Sequence, residues 1–209
     1  MDRLMLERIP RRERLDLFIA WVAISIAFSL AFISYQVKLS GDPFVNFILF
    51  LGVSLVTVGI GFILHEMAHK FTAMHYGYWA EFRKDNLMLL VAVALAALVG
   101  VVFAAPGATV IYGTGVTREQ NGRISAAGPL TNLVLCIPFA IILLVSGSGI
   151  SLLGTIGVIG LQVNGMIAAF NMLPVSVLDG RKVLAWNKGI FLALIAVAFI
   201  VVIATFYLV

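Results

Sequence analysis

Cysteine is almost absent from this 209-residue chain: Cys136 stands alone, in the middle of an apolar run. A single thiol excludes a disulfide framework and any metal site built from cysteines. Charge is nearly as scarce, at 11% of residues against 62% hydrophobic ones. That balance excludes an ordinary soluble domain and makes lipid the solvent for most of the chain. No small-residue cleavage site follows the first apolar run, so Leu17 to Val37 reads as a retained helix rather than a signal peptide. The net charge of +4 is a feature that nucleic-acid binding would share. Here the basic residues sit in loops too short to form a binding domain, where positive charge orients a membrane protein; no nucleic-acid partner is expected.

What the chain does have is long apolar runs. Leu17 to Val37, Phe44 to His69, Ile124 to Val145, Leu152 to Ala169 and Ile190 to Val209 each approach the roughly 20 residues a spanning helix needs. The basic arm with Arg3, Arg8, Arg11, Arg12 and Arg14 belongs in the cytoplasm. The second run therefore returns to that side, ahead of Arg83 and Lys84. Arg118 and Arg123 precede the Ile124 helix and fit the same side, as do Arg181, Lys182 and Lys188. A sixth apolar run, Leu87 to Ala105, then has cytoplasmic flanks at both ends. It must dip in and return or lie along the interface; an ordinary sixth helix would reverse everything after it. The stretch Pro106 to Gly113 is β-branched and bounded by turn residues, and reads as a strand or hairpin. Such backbone survives at membrane depth only where protein or water lines it. The expected fold is an all-α polytopic membrane protein with five to six transmembrane helices and a short membrane-associated strand or re-entrant element. It is expected to form a single integral-membrane domain over 1–209, with a cytoplasmic arm at 1–16 and a catalytic core at about 44–185.

The end of the second run carries chemistry. Phe44 to Leu64 holds no charge, and His65-Glu66-Met67-Ala68-His69 follows directly. Positions i and i+4 share a helix face, so His65 and His69 can present two imidazoles to one metal. Glu66 then lies beside the metal, placed to take a proton from its water. A carboxylate on a membrane helix costs roughly 2.5–3.5 kcal/mol on insertion scales, which calls for a function. A hydrolytic zinc site needs three protein ligands and one open position. His75 reproduces the outer spacing of H-E-x-x-H-x-x-G-x-x-H, but Thr72 stands where that pattern needs glycine. On a continuing helix His75 lies about 240° round from His69 and points away. Asp179, in Asn171-Met172-Leu173-Pro174-Val175-Ser176-Val177-Leu178-Asp179-Gly180, is the better third ligand. The charge-derived topology brings it to the depth of the histidines. Read locally, Asp179-Gly180 is also a plain turn signal.

These motifs resemble the site-2 proteases, zinc metalloproteases that cut within membranes. The likeness rests on His65-Glu66-Met67-Ala68-His69, on Asn171 to Pro174 leading to Leu178-Asp179-Gly180, and on Gly128-Pro129-Leu130-Thr131-Asn132 between them. It covers roughly Leu51 to Ala185. By that resemblance His65, His69 and Asp179 bind Zn2+ and Glu66 is the catalytic base. Many members carry a Pro-x-Pro-x-Asp-Gly-like run where this chain has Pro174-Val175-Ser176-Val177-Leu178-Asp179-Gly180, a departure that bears on the loop. No PDZ, cystathionine-synthase-like or other regulatory domain is expected. The expected partners are the lipid bilayer and a transmembrane protein substrate, whose helix must unwind before its carbonyls can be attacked. The Pro106 to Gly113 strand, through Gly107, Ala108 and Thr109, could hold the unwound stretch by β-addition. Asn132 and Asn171 offer amides to orient substrate carbonyls, or to bond helix to helix.

Other classes fit less well. A metal transporter would spread polar residues along several helices to both faces. A catalytically dead scaffold or chaperone would tolerate loss of Glu66. A prenyl-protein endopeptidase pairs the same pentad with a downstream glutamate ligand, for which Glu81 and Glu119 are the acidic candidates.

Overall fold

The computed structural model describes residues 8–34, 40–102, 106–146 and 151–208. Arg3 of the expected arm and the ends of the first, sixth and last apolar runs lie outside them. Among the described residues five helices are long and apolar enough to cross a membrane and one small sheet is present; the fold is that of an all-α polytopic membrane protein. Helix α1 is Arg11–Ser34. Helix α2, Pro43–Ser54, starts on Asp42, whose carboxylate accepts the Phe44 and Val45 N–H groups at 2.7 and 3.0 Å, with Pro43 pre-set for the first turn. A π-helical turn, Leu55–Gly59, joins α2 to α3, Ile60–His75, as one 33-residue apolar span. The wide turn loosens its backbone bonding, and the Trp21 indole of α1 donates to Leu55 O at 3.0 Å in compensation. Gly59 is required there, because a Cβ would run into the Trp21 ring.

Strand β1 is Trp79–Lys84, followed by α4, Asn86–Val99, and β2, Gly107–Tyr112. The strand expected near Pro106 thus exists, and its antiparallel partner is the charged segment Trp-Ala-Glu-Phe-Arg-Lys. Lys84 faces Gly107 across the ladder, and Asp85 N–H donates to Pro106 O at 3.1 Å. Both ends of the 85–106 segment therefore meet at one end of the sheet. Helix α4 has 14 residues, about 21 Å at 1.5 Å per residue, well short of a hydrocarbon core of about 30 Å. The 85–106 segment thus leaves and rejoins the hairpin at the same end, which counts against a sixth crossing and fits an element that dips in or lies along the interface. It packs against α1 through Ala92 and Ala96 on Ala27 and Ala31, small residues that let the backbones approach.

Helix α5 is Arg118–Ser146, six residues longer at its start than the apolar run foretold, and α6 is Leu152–Asn171. A short α7, Asp179–Trp186, leads to α8, Lys188–Leu208. Helix α6 is the centre of the bundle, with 67% of its spanning window buried against 17% for α8. Its Gly157 and Gly160 lie against Leu143 and Phe139 of α5, too close for any side chain. A second core joins Phe50, Val53, Val58 and Phe62 of the long span to Ala20 and Ile24 of α1 and to Phe82 of β1. The result puts the ends of α3 and α6, the start of α5, the hairpin and α7 at one face of the bundle.

Candidate metal centre

Helical spacing turns His65 and His69 to the same side of α3, toward the first turns of α5. Their Nε2 atoms are 3.0 Å apart. Asp179 arrives from the far end of the chain, with Oδ2 3.5 Å from His65 Nε2 and 3.1 Å from His69 Nε2. Gly180 makes this approach possible: a Cβ there would strike Met172 O, so the start of α7 sits directly on the turn that ends α6. Ser176, at φ 50°, and a Leu178 N–H to Val175 O bond of 3.2 Å complete the loop between α6 and α7. His65, Glu66, His69 and Asp179 are all buried, at 3–8% exposure.

The remaining ring nitrogens fix the tautomers. His69 Nδ1 lies 2.7 Å from Ile124 O, a pure acceptor, so it must donate. His65 Nδ1 lies 2.6 Å from Asn132 Oδ1. The Asn132 amide is oriented by its Nδ2, which donates to Gly61 O at 3.2 Å and Asn164 Oδ1 at 2.9 Å. Both Nε2 lone pairs then face each other and the Asp179 carboxylate, an arrangement that only positive charge holds together. Gly128 borders the same space, and a Cβ on it would overlap the Nε2 atoms of both histidines. Two imidazoles and one carboxylate suit zinc, which takes nitrogen and oxygen ligands. Among the described residues this is the one cluster able to hold a metal ion.

Glu66, next to His65 and one turn before His69 on α3, reaches the hairpin. Its Oε2 accepts the Thr109 N–H at 2.8 Å and the Thr109 hydroxyl at 2.9 Å. Gly107 and Ala108 precede Thr109 in the same strand, opposite Lys84 and Arg83. Asn132 is fully buried and its amide is committed to His65, Gly61 and Asn164. Asn171 turns back on its own helix, donating to Ile167 O at 3.0 Å. His75 is exposed at the end of α3, edge-on to Tyr76, and stands outside the cluster. Two features escaped the sequence reading: Asn164 and the Glu13–Lys70 pair described below. Asn164 carried a usable signal, as the amide in the middle of the Leu152 to Ala169 run.

A polytopic helical membrane protein with a buried His-His-Asp metal cluster beside a glutamate belongs to the membrane metalloenzymes by its architecture alone. Comparison with known proteins narrows this. A Methanocaldococcus jannaschii protein named "Putative zinc metalloprotease MJ0611" is 42% identical over 183 residues, 88% of each chain. "Zinc metalloprotease MJ0392" of the same organism is 26% identical over 169 residues, covering 78% of this chain and 42% of that one. The chain belongs to this zinc metalloprotease family, as a membrane zinc protease with Zn2+ as its cofactor. No protein-family model matches the sequence, and no solved structure matches it.

Proposed function

We propose that the chain is an intramembrane endopeptidase of the site-2 protease kind, which hydrolyses a peptide bond in or near a transmembrane segment of another membrane protein. The observation that carries this reading is the burial of His65, Glu66, His69 and Asp179 together where the membrane helices α3, α5 and α6 meet the hairpin. In this reading His65, His69 and Asp179 are the zinc ligands and Glu66 is the general base. Bound zinc supplies a Lewis acid and a nucleophilic water at neutral pH. Glu66 accepts the proton released in the attack and returns it to the leaving amine. Asn132 and Ile124 O keep the two imidazoles turned with Nε2 inward, so we assign Asn132 to the histidine rather than to substrate. Lys182, 3.7 Å from Asp179 Oδ1, borders the solvent side of the site.

The substrate seat we infer is the outer edge of β2 at Gly107, Ala108 and Thr109. The Thr109 N–H turns away from β1 toward Glu66, so this edge faces the catalytic helix. An unwound substrate stretch added as a third strand would lay its carbonyls beside the base. Glycine and proline in the substrate ease that unwinding. The basic residues Arg8, Arg11, Arg12 and Arg14 ahead of α1 favour a cytoplasmic catalytic face. Nothing favours the prenyl-protein alternative, since Glu81 is held by Trp79 and Arg83, and Glu119 pairs with Arg123 at 2.7 Å.

Glu66→Gln tests the proposal. It keeps the side-chain shape and all three ligands, so zinc content should stay near wild type. Cleavage of a single-span substrate in liposomes should fall by about 10²- to 10⁴-fold, the usual contribution of a general base. Wild-type cleavage by a zinc-loaded Glu66→Gln protein would remove Glu66 from the mechanism.

A further inference from the structure

Glu13 and Lys70 are charged residues that the proposed chemistry does not use, and both have 0% exposure. Glu13 stands in the first turn of α1, and its Oε2 accepts from the Lys70 ammonium. Its Oε1 accepts the backbone N–H of Phe82, in β1, at 3.0 Å. The Lys70 ammonium also lies 5.5 Å from the centre of the Trp79 ring. Lys70 follows Glu66 by four residues and therefore shares its face of α3. That face meets the hairpin twice: at β2 through Glu66, and at β1 through Lys70 and Glu13.

The register of the sheet ties the two contacts together. Phe82 pairs with Thr109. Both residues turn their N–H groups away from the partner strand, as a non-hydrogen-bonded antiparallel pair does. One of these outward donors is taken by Glu13 and the other by Glu66. A two-stranded hairpin is marginal by itself, so its seat on α3 has to be fixed from outside. The Phe82 ring packs on Phe62 of α3, with centroids 5.6 Å apart, but a ring contact leaves the strand free to slide. A hydrogen bond donated to a carboxylate anchored on Lys70 does not.

We propose that Glu13 is a positioning residue of the active site: paired with Lys70, it accepts the Phe82 N–H and so sets the hairpin at the height where Thr109 meets Glu66. The inference rests on the reading of Glu66 as the base. Glu13 acts through Phe82 and Thr109 and touches no substrate.

The competing explanation is that the ion pair serves stability alone. Replacing both members of a buried pair by neutral groups is often harmless, whereas removing one leaves a stranded charge. The informative comparison is therefore between two neutral double variants. E13Q/K70M keeps an oxygen for the Phe82 N–H, and E13L/K70M does not. Zinc content, kcat and KM on a single-span substrate, and hydrogen exchange in the 107–112 peptide, which Glu13 does not touch, are measured for each. E13Q/K70M should stay within about threefold of wild type in kcat, the scale of a modest loss in one hydrogen bond. E13L/K70M should lose about 10- to 100-fold in kcat, the scale of a small misplacement at a catalytic group. It should do so with zinc and KM little changed and with faster exchange at 107–112. Equal kcat and equal exchange in the two variants would overturn the proposal. Should E13L/K70M fail to accumulate in membranes, E13N/K70M withdraws the acceptor by one methylene, and wild-type kcat in that protein would overturn it equally. Glu66→Gln run alongside separates the two ideas. Full activity there removes the base itself, whereas an inactive Glu66→Gln beside a fully active E13L/K70M removes only the positioning role.

Discussion

Gly128→Ala adds one methyl group at the point where the histidines leave least room. The new Cβ would overlap His69 Nε2 and stand 2.6 Å from His65 Nε2, where ordinary contact begins near 3.4 Å. The imidazoles must therefore retreat by about 0.8 Å, the difference between those two distances, while metal sites tolerate ligand displacements of only about 0.2 Å. Zinc affinity should fall at least as far as it does when an outer-shell partner is lost, about 10- to 100-fold. The fold should suffer far less than the site. Gly128 lies inside α5, where alanine is favoured over glycine by about 1 kcal/mol, which offsets much of an overpacking cost of about 1–3 kcal/mol, so the chelator-treated protein should change little in thermal stability. A large zinc effect beside a small stability effect makes the variant diagnostic, since a general loss of structure would lower both. The measurements are zinc competition against a chromophoric chelator in detergent and the melting temperature of the metal-free protein. Gly52→Ala, at a position with nothing within 4 Å, is the control and should change neither. Wild-type zinc affinity in Gly128→Ala would refute the proposed histidine ligation.

His65→Ala, His69→Ala and Asp179→Ala should each strip zinc from the purified protein, while His75→Ala should keep it; metal analysis decides, and retention after Asp179→Ala would break the assignment. Asn132→Ala frees the His65 ring and should weaken zinc about 10- to 100-fold, read by the same chelator competition, while cleavage at saturating zinc recovers in part. In a Cys136→Ala background, cysteines at Lys84 and Thr117 should react with a membrane-impermeant reagent from the same side, the cytoplasmic one. Labelling from opposite sides would contradict the re-entrant path of α4.

What the sequence determined by itself were the features with a local period. Apolar runs of about 20 residues are spans because every backbone group in lipid must bond within its own helix, so length and composition suffice. The i, i+4 spacing of His65 and His69 is a property of any helix, and Asp85 and Asp42 advertise the helix starts that follow them. The tertiary structure decided what has no local period. Strand β1 alternates buried Ala80 and Phe82 with Glu81 and Arg83 over too few residues to stand out; it is a strand because Gly107–Tyr112 pairs with it and Glu13 takes its outward N–H. Asp179-Gly180 is locally a turn signal, and its ligand reading rests on the charge-derived topology; Gly180, by letting α7 rest on Met172, is what brings the carboxylate to the histidines. The Asn132 amide could serve substrate or protein from sequence alone, and the neighbouring His65, Gly61 and Asn164, between 32 and 71 residues away along the chain, commit it to the protein. Contacts of that separation depend on how helices cross and where glycines permit approach, and no window of sequence contains both partners.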